Sequence, residues 1–130
     1  MTRSLVNSSG YDVPIPRFTQ AVAASASGRI VFATIRVGGG SDPSYDLRAE
    51  AEALVTLIRK TLTDYGVTPD DVVRVRTYVL DLESYATLRP VLAALWGEVF
   101  PASTLLEVVA LPGGARIQMD VIAMVAVNGA

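Results

Sequence analysis

Phe100-Pro101-Ala102-Ser103-Thr104-Leu105-Leu106-Glu107-Val108-Val109-Ala110-Leu111-Pro112 is the stretch whose reading decides the fold. Its centre, Thr104–Val109, is rich in residues that suit an extended, half-buried backbone and reads as a strand. Pro112-Gly113-Gly114 follows as a turn. Upstream, Leu88, Leu92, Leu95, Trp96 and Val99 recur at helical spacing. They predict a helix over Glu83–Val99, with Pro90 inside it removing one backbone hydrogen bond. Downstream, Arg116–Val127 alternates. Arg116, Gln118 and Asp120 share one face; Ile117, Met119 and Val121 share the other.

The same periodicities organise the rest of the chain. Leu47, Ala51, Leu54, Val55, Ile58 and Leu62 form an apolar stripe, predicting a first helix over Tyr45–Tyr65 that Gly66 caps. Glu50, Glu52, Arg59 and Lys60 are read as falling off that stripe. Thr68-Pro69-Asp70-Asp71 carries a capping residue and then proline, so a short helical turn is expected. Val72–Leu80 reads as a strand with Val73, Val75, Thr77 and Val79 on one face and Arg74, Arg76, Tyr78 and Leu80 on the other. Gln20–Ala26 and Arg29–Val37 suggest a hairpin around Ser27-Gly28. Leu5–Val6 begins a short edge strand, and Gly38-Gly39-Gly40-Ser41-Asp42-Pro43 reads as a loop. No GK[ST] follows those glycines, so they do not make a phosphate loop. The order is strands, helix, strand, helix, strands. This is an α+β arrangement in which two helices cover one face of a mixed, mainly antiparallel sheet, within a single domain spanning 1–130. The other face, polar among apolar, needs a partner.

Composition narrows the chemistry. The 130 residues are 51% hydrophobic with mean hydropathy +0.40, which points to apolar surface buried in a subunit interface. No apolar run approaches the roughly 20 residues of a membrane span, so no membrane partner is expected. Net charge is −2 with no basic cluster, which disfavours nucleic acid. The N-terminus lacks a signal pattern, and the default location is cytoplasmic. The chain has no cysteine and no histidine. That excludes thiol nucleophiles, thiolate or His-ligated metal sites and Ser-His triads. Lys60 is the single lysine, in a helix context that suggests a solvated position rather than a Schiff base. No cofactor or metal is expected. Any chemistry rests on carboxylates, arginines, hydroxyls, backbone N–H groups and water.

The opening stretch resembles the segment that ends the second helix and opens the catalytic strand in the RidA (YjgF/YER057c-type) family. Further matches run in order from about Pro14 to Val127. Arg17-Phe18-Thr19-Gln20-Ala21 resembles Pro-Tyr-Ser-Gln-Ala, and Ile30-Val31-Phe32-Ala33-Thr34 resembles Leu-Val-Phe-Val-Ser. Asp70-Asp71-Val72-Val73-Arg74-Val75 resembles Asp-Asp-Val-Val-Lys-Val. Asp81 to Leu88 resembles Asp-Met-Asp-Asp-Phe-Ala-Ala-Val, and Ile117 to Ala123 resembles Val-Glu-Ile-Glu-Ala-Ile-Ala. The resemblance implies a chorismate mutase-like fold and a homotrimer whose sheets pack into a central barrel. It also implies clefts between subunits that bind small molecules. Active members hydrolyse imines and enamines, releasing ammonia and a 2-oxo acid.

The departures fall on the implied site. Ser103 occupies the slot of the arginine that grips the substrate carboxylate. Phe18 replaces a tyrosine and loses its hydroxyl. Thr34-Ile35-Arg36 replaces Ser-Gly-Gln, placing a bulky Ile35 where the family has glycine. Arg89 replaces an asparagine, and Asp120 a glutamate that orients water. Tyr85 and Glu107 stand where the family has Phe and Glu. Asp120 and Glu107 are the candidate catalytic carboxylates. Asp120 orients water or a substrate N–H, or else pairs with a strand arginine; Glu107 also fits a structural, backbone-bound role. Arg36 and Arg89, one turn beyond Tyr85, are the candidates for a relocated cation in one shared cleft. Arg116 reads as a partner of Asp120 or an interface group, and Arg76 and Tyr78 as barrel-interior or interface residues. Ser103 and Thr104 fit hydrogen bonding at the helix-to-strand corner. Phe18 and Tyr85 could stack a ligand, while Trp96 reads as core.

Two functions follow. One is an enzyme acting on a small imine, enamine or related carbonyl metabolite, with a substrate set unlike that of the 2-imino-acid deaminases. The alternative is a non-catalytic metabolite-binding or regulatory protein, favoured by the loss of a charge-assisted contact of roughly 1.5–3 kcal/mol at Ser103. RNA cleavage fits neither the acidic balance nor the missing histidine.

Overall fold

A computed structural model of the chain describes residues 2–6, 21–25, 28–38, 46–97 and 100–126. Six strands and two α-helices occur among them, β1 (Thr2–Val6), β2 (Ala21–Ser25), β3 (Gly28–Arg36), α1 (Leu47–Asp64), β4 (Val72–Val79), α2 (Leu82–Ala93), β5 (Ala102–Glu107) and β6 (Ile117–Ala126), with short 3-10 turns at Pro69–Asp71, where a helical turn is expected, and at Pro112–Gly114. Four strands form a mixed sheet in the order β3-β6-β4-β5. β6 pairs antiparallel with both β3 and β4, and β4 pairs parallel with β5 across the α2 crossover. The expected hairpin between the second and third strands is not what pairs them. β2 pairs antiparallel with β1, and β3 takes β6 as its neighbour. Ser27 lies outside the described residues, as does the expected Gly-rich loop from Gly39 onward.

α1 starts where Asp46 accepts the Ala49 N–H at 2.6 Å, satisfying one of the first-turn donors. Ala51, Leu54, Val55, Ile58 and Leu62 are all buried, as their spacing requires. The helix ends in a Schellman arrangement. Gly66 adopts φ 71°, its N–H bonds to Thr63 O at 3.0 Å, and Val67 N–H bonds to Leu62 O at 2.8 Å. Lys60 pairs with Asp64 at 2.7 Å on the exposed side.

α2 is shorter than its apolar periodicity suggests. It runs Leu82–Ala93 and does not reach Val99. The chain then tightens into i→i+3 bonds, Leu95 N–H to Leu92 O and Trp96 N–H to Ala93 O, and Gly97 follows. Leu95 stays buried and Trp96 packs against the core, so the apolar pattern continues past the helix it was read as defining.

β4 carries a second correction. Its register against β6 shifts between Val72 and Arg74, a bulge that inserts one residue and reverses the alternation upstream of it. Val72 therefore joins Val75, Thr77 and Val79 on the buried face, and Val73 is only half-buried. β6 follows its expected alternation, with Ile117, Met119, Val121 and Ala123 buried and the residues between them half-buried. Both helices lie on the side of the sheet marked by these residues, and Leu54, Ile58, Leu62 and Leu88 fill the layer. The opposite side is open: Phe32 is 73% and Ile30 54% exposed.

Glu50 reverses its expected position. It is fully buried, accepting the backbone N–H groups of Arg116 at 2.7 Å and Ile117 at 3.2 Å and the Arg116 Nε at 3.0 Å. Arg116 is thus the partner of Glu50 on α1, not of Asp120. The bond ties the α1 N-terminal turn to the start of β6. The preceding turn closes on Gly38 (φ 77°), where an added Cβ would come within 2.8 Å of Gly113 O.

Candidate functional site

The polar residues singled out in the sequence separate into two clusters, one on each side of the sheet. The first lies between α2 and the strands. Tyr85 and Arg89, one turn apart on α2, meet with the Arg89 guanidinium carbon 5.8 Å from the Tyr85 ring centroid. They line a cavity of about 40 Å³ together with Thr77, Trp96, Phe100 and Ser103. Ser103 reaches it because it sits beside Val75 in the parallel β4–β5 register and shares its helix-facing side. The Arg89 Nε is buried with no hydrogen-bond partner among the described residues, an uncommon state for a charged donor. Burial pushes the Tyr85 phenol up, and the nearby Arg89 charge opposes that shift. The cavity has room for roughly three waters.

The second cluster stands on the open face. Thr34 and Asp120 are direct cross-strand partners, and the Thr34 hydroxyl donates to Asp120 Oδ1 at 2.5 Å. Gln118 Nε2 donates to Thr34 Oγ1 at 3.2 Å and approaches Asp120 Oδ1 at 3.5 Å. One strand over, Arg76 is opposite both Asp120 and Thr104 in register and donates to the Tyr78 hydroxyl at 3.5 Å. Arg74 donates to Thr104 Oγ1 at 2.7 Å. A concavity of about 330 Å³ runs along this face.

The remaining candidates lie apart from both. Ile35 turns into the helix-side core, 5% exposed. Arg36 is exposed at the end of β3, beside Thr61, Pro112 and Gly113 in a surface cavity of about 370 Å³. Strand alternation puts Arg36 on the open side, whereas Arg89 is on the helix side, so the two do not share a cleft within one protomer. Neither does Arg89 reach Asp120 there. Glu107 accepts the Leu82 N–H at 3.0 Å at the α2 N-terminus, where a carboxylate also meets the helix dipole favourably. Phe18 lies outside the described residues. Gln118, which completes the Thr34–Asp120 network, was legible only as an alternate residue on the Asp120 face. Glu50 was missed although it stands four residues before Leu54, a spacing that places it on the apolar stripe. Among the described residues no cluster of acidic, Cys or His side chains suits a metal, and no helix is long and apolar enough to cross a membrane.

Comparison with known proteins places this geometry in context. The family described as Endoribonuclease L-PSP matches residues 12–125. A RutC family protein of Pyrococcus abyssi is 32% identical over 78 residues, 60% of this chain and 61% of that protein. The match thus spans about three-fifths of the length of the archaeal relatives. The 2-iminobutanoate/2-iminopropanoate deaminase of Bos taurus is 26% identical over 132 residues, covering 95% of this chain and 91% of the bovine one. Among solved structures, a Rid-family protein of unknown function from Yersinia pestis superposes with a TM-score of 0.74 at 26% identity, covering 96% of this chain and all of that one.

Proposed function

This chain belongs to the Endoribonuclease L-PSP family, of RidA (YjgF/YER057c) type, and from that premise we propose that it acts on a small imine, enamine or related carbonyl metabolite. The reaction takes place in clefts between the subunits of a homotrimer, on a substrate set distinct from that of the 2-imino-acid deaminases. The observation that carries this reading is the Arg89 guanidinium. It is half-buried, unpartnered at Nε, and lines the same pocket as Ser103. Arg89 supplies from the helix a cation that Ser103 does not supply from the strand, and its donor fork suits a planar carboxylate.

The chemistry follows from what surrounds it. Arg89 holds the anionic end of the ligand, and the Tyr85, Phe100 and Trp96 rings wall the pocket. Water adds to the C=N carbon while the nitrogen collects protons and leaves as ammonia, so the carbon ends as a carbonyl. A carboxylate that orients the water is needed, and Asp120, held by Thr34, is the candidate. Within one chain Asp120 and Arg89 are on opposite sides of the sheet. They act on one molecule only where the Asp120 of one copy approaches the Arg89 pocket of another, so this reading requires an intersubunit site.

The test couples the protein to an amino-acid oxidase or a 2-aminoacrylate-forming dehydratase and follows imine decay. Faster decay of some imine or enamine is expected, with 2-iminopropanoate a poor substrate. Arg89→Met removes the acceleration, and Ser103→Arg improves 2-iminopropanoate hydrolysis only in part. If no imine or enamine decays faster but 2-oxo acids still stabilise the protein, it is the metabolite-binding or regulatory alternative. Wild-type hydrolysis of 2-iminopropanoate at the rate of an arginine-bearing relative contradicts the reading of Ser103.

A further inference from the structure

Arg74 and Arg76 stand in the middle of the open face, on the strand between β6 and β5. A carboxylate is close at hand, yet neither guanidinium is paired with it. Asp120, across from Arg76 in register, takes its hydrogen bonds from Thr34 and Gln118. None of the ion pairs among the described residues involves Arg74 or Arg76. Arg74 gives one bond to Thr104 at 2.7 Å, and Arg76 reaches only the Tyr78 hydroxyl at 3.5 Å. A guanidinium carries five N–H donors, so most of those on both side chains have no protein acceptor among the described residues.

The space in front of them has the size of a small-molecule site. The concavity of about 330 Å³ is bordered by Phe32, Thr34, Arg74, Arg76, Asp120 and Ile122, within the usual range for ligand pockets. The apolar walls, Phe32 and Ile122, lower the local dielectric and strengthen charge-assisted bonds made there. Two guanidinium groups against one carboxylate leave an excess positive charge on this face of each copy.

We propose that the open face holds a second binding site, built on Arg74 and Arg76 rather than on Arg89 and adjoining the Asp120 carboxylate used in the proposed reaction, for a compact multivalent oxyanion of the phosphate or small polycarboxylate class. Arg74 and Arg76 grip it side by side, since the guanidinium fork matches the oxygen spacing of such anions.

The experiment uses the full-length protein with inorganic phosphate and with citrate, read by titration calorimetry and by thermal unfolding. Chloride at matched ionic strength is the control. At least one of the two anions is expected to bind and to raise the melting temperature where chloride does not, because a ligand of the folded state alone stabilises it. Arg76→Gln weakens that binding about tenfold or more, Arg74→Gln with Arg76→Gln abolishes it, and Arg89→Met leaves it unchanged. Phosphate alone identifies a tetrahedral oxyanion, citrate alone a polycarboxylate, and both together a site for either. Should the double variant fail to fold by circular dichroism, Arg76→Gln carries the test alone. No effect of either anion beyond chloride overturns the proposal. So does binding that survives loss of the arginines, or binding lost with Arg89→Met. No readout depends on imine turnover, so failure here and failure of the proposed reaction are told apart.

Discussion

The two sides of the sheet treat polar groups differently. On the helix side, two carboxylates are committed to the fold. Glu50 accepts three N–H bonds from the start of β6, and Glu107 accepts a backbone N–H at the head of α2. On the open side, polar groups bond to one another, Thr34 with Asp120 and Arg74 with Thr104, beneath exposed Phe32 and Ile30. Arg89 departs from these two carboxylates: its Nε is buried with no partner among the described residues. The comparison separates residues that hold the fold from those left with capacity for a ligand, and it does so by partners rather than by residue type.

The largest expected effect falls on the helix side. Glu50→Ala takes the acceptor from the backbone N–H groups of Arg116 and Ile117 and should cost about 2–5 kcal/mol, the range for leaving two such donors unsatisfied. Chemical denaturation measures it. A cost under about 1 kcal/mol would make Glu50 an incidental contact and erase the contrast between the two sides.

On the open side the effect should appear in assembly and leave folding intact. Phe32→Asp puts a charge on the exposed apolar surface, which an interface does not tolerate unpaired. Sedimentation should show dissociation, with association at least tenfold weaker, while circular dichroism is unchanged. A protein that stays assembled places the interface elsewhere.

The smallest effect is a pH dependence in the Arg89 pocket. Burial raises the Tyr85 phenol, so its folded pKa exceeds the unfolded value of about 10. The neutral form is favoured in the folded state. That contribution is complete below about pH 10 and is lost as pH rises through the folded value. Thermal unfolding between about pH 8 and 11 should show a loss that Tyr85→Phe reduces. Arg89→Met, which removes the opposing charge, should push the phenol higher still in a tyrosinate absorbance titration. A Tyr85 that titrates with the exposed tyrosines in both proteins would place Arg89 away from the ring.

Much of this was legible in the sequence, and the failures have local causes. Strand alternation from Ile117 onward gave both faces of β6 correctly because no bulge interrupts it, whereas Arg116, just before the strand, turns to Glu50 instead of joining the Asp120 face. In β4 the bulge near Val73 exchanged Val73 for Val72 on the buried face, and alternation alone carries no signal for an inserted residue. The apolar spacing around Leu95 and Trp96 persisted after the helix ended, since tight turns can keep side chains directed into the same core. Glu50 was set aside for its charge although its spacing matched the stripe. Burial of a carboxylate depends on donors from Arg116 and Ile117, distant in sequence and adjacent only in the fold. Within one protomer Arg36, Arg89 and Asp120 do not come together, for a similar reason, and their expected meeting in a cleft between subunits belongs to the proposed assembly. Helix spacing brought Tyr85 and Arg89 together, but the side of the sheet each element occupies kept Arg36 and Asp120 away from them.

The most direct test of the central claim is calorimetric titration of 2-oxobutanoate, a small 2-oxo acid, into the wild-type protein and Arg89→Met. The account predicts binding to the wild type that weakens more than tenfold in the variant, with assembly and melting temperature in the absence of ligand unchanged. Equal affinity in the two proteins would contradict it, because the cation that replaces the one missing at Ser103 would then not be Arg89.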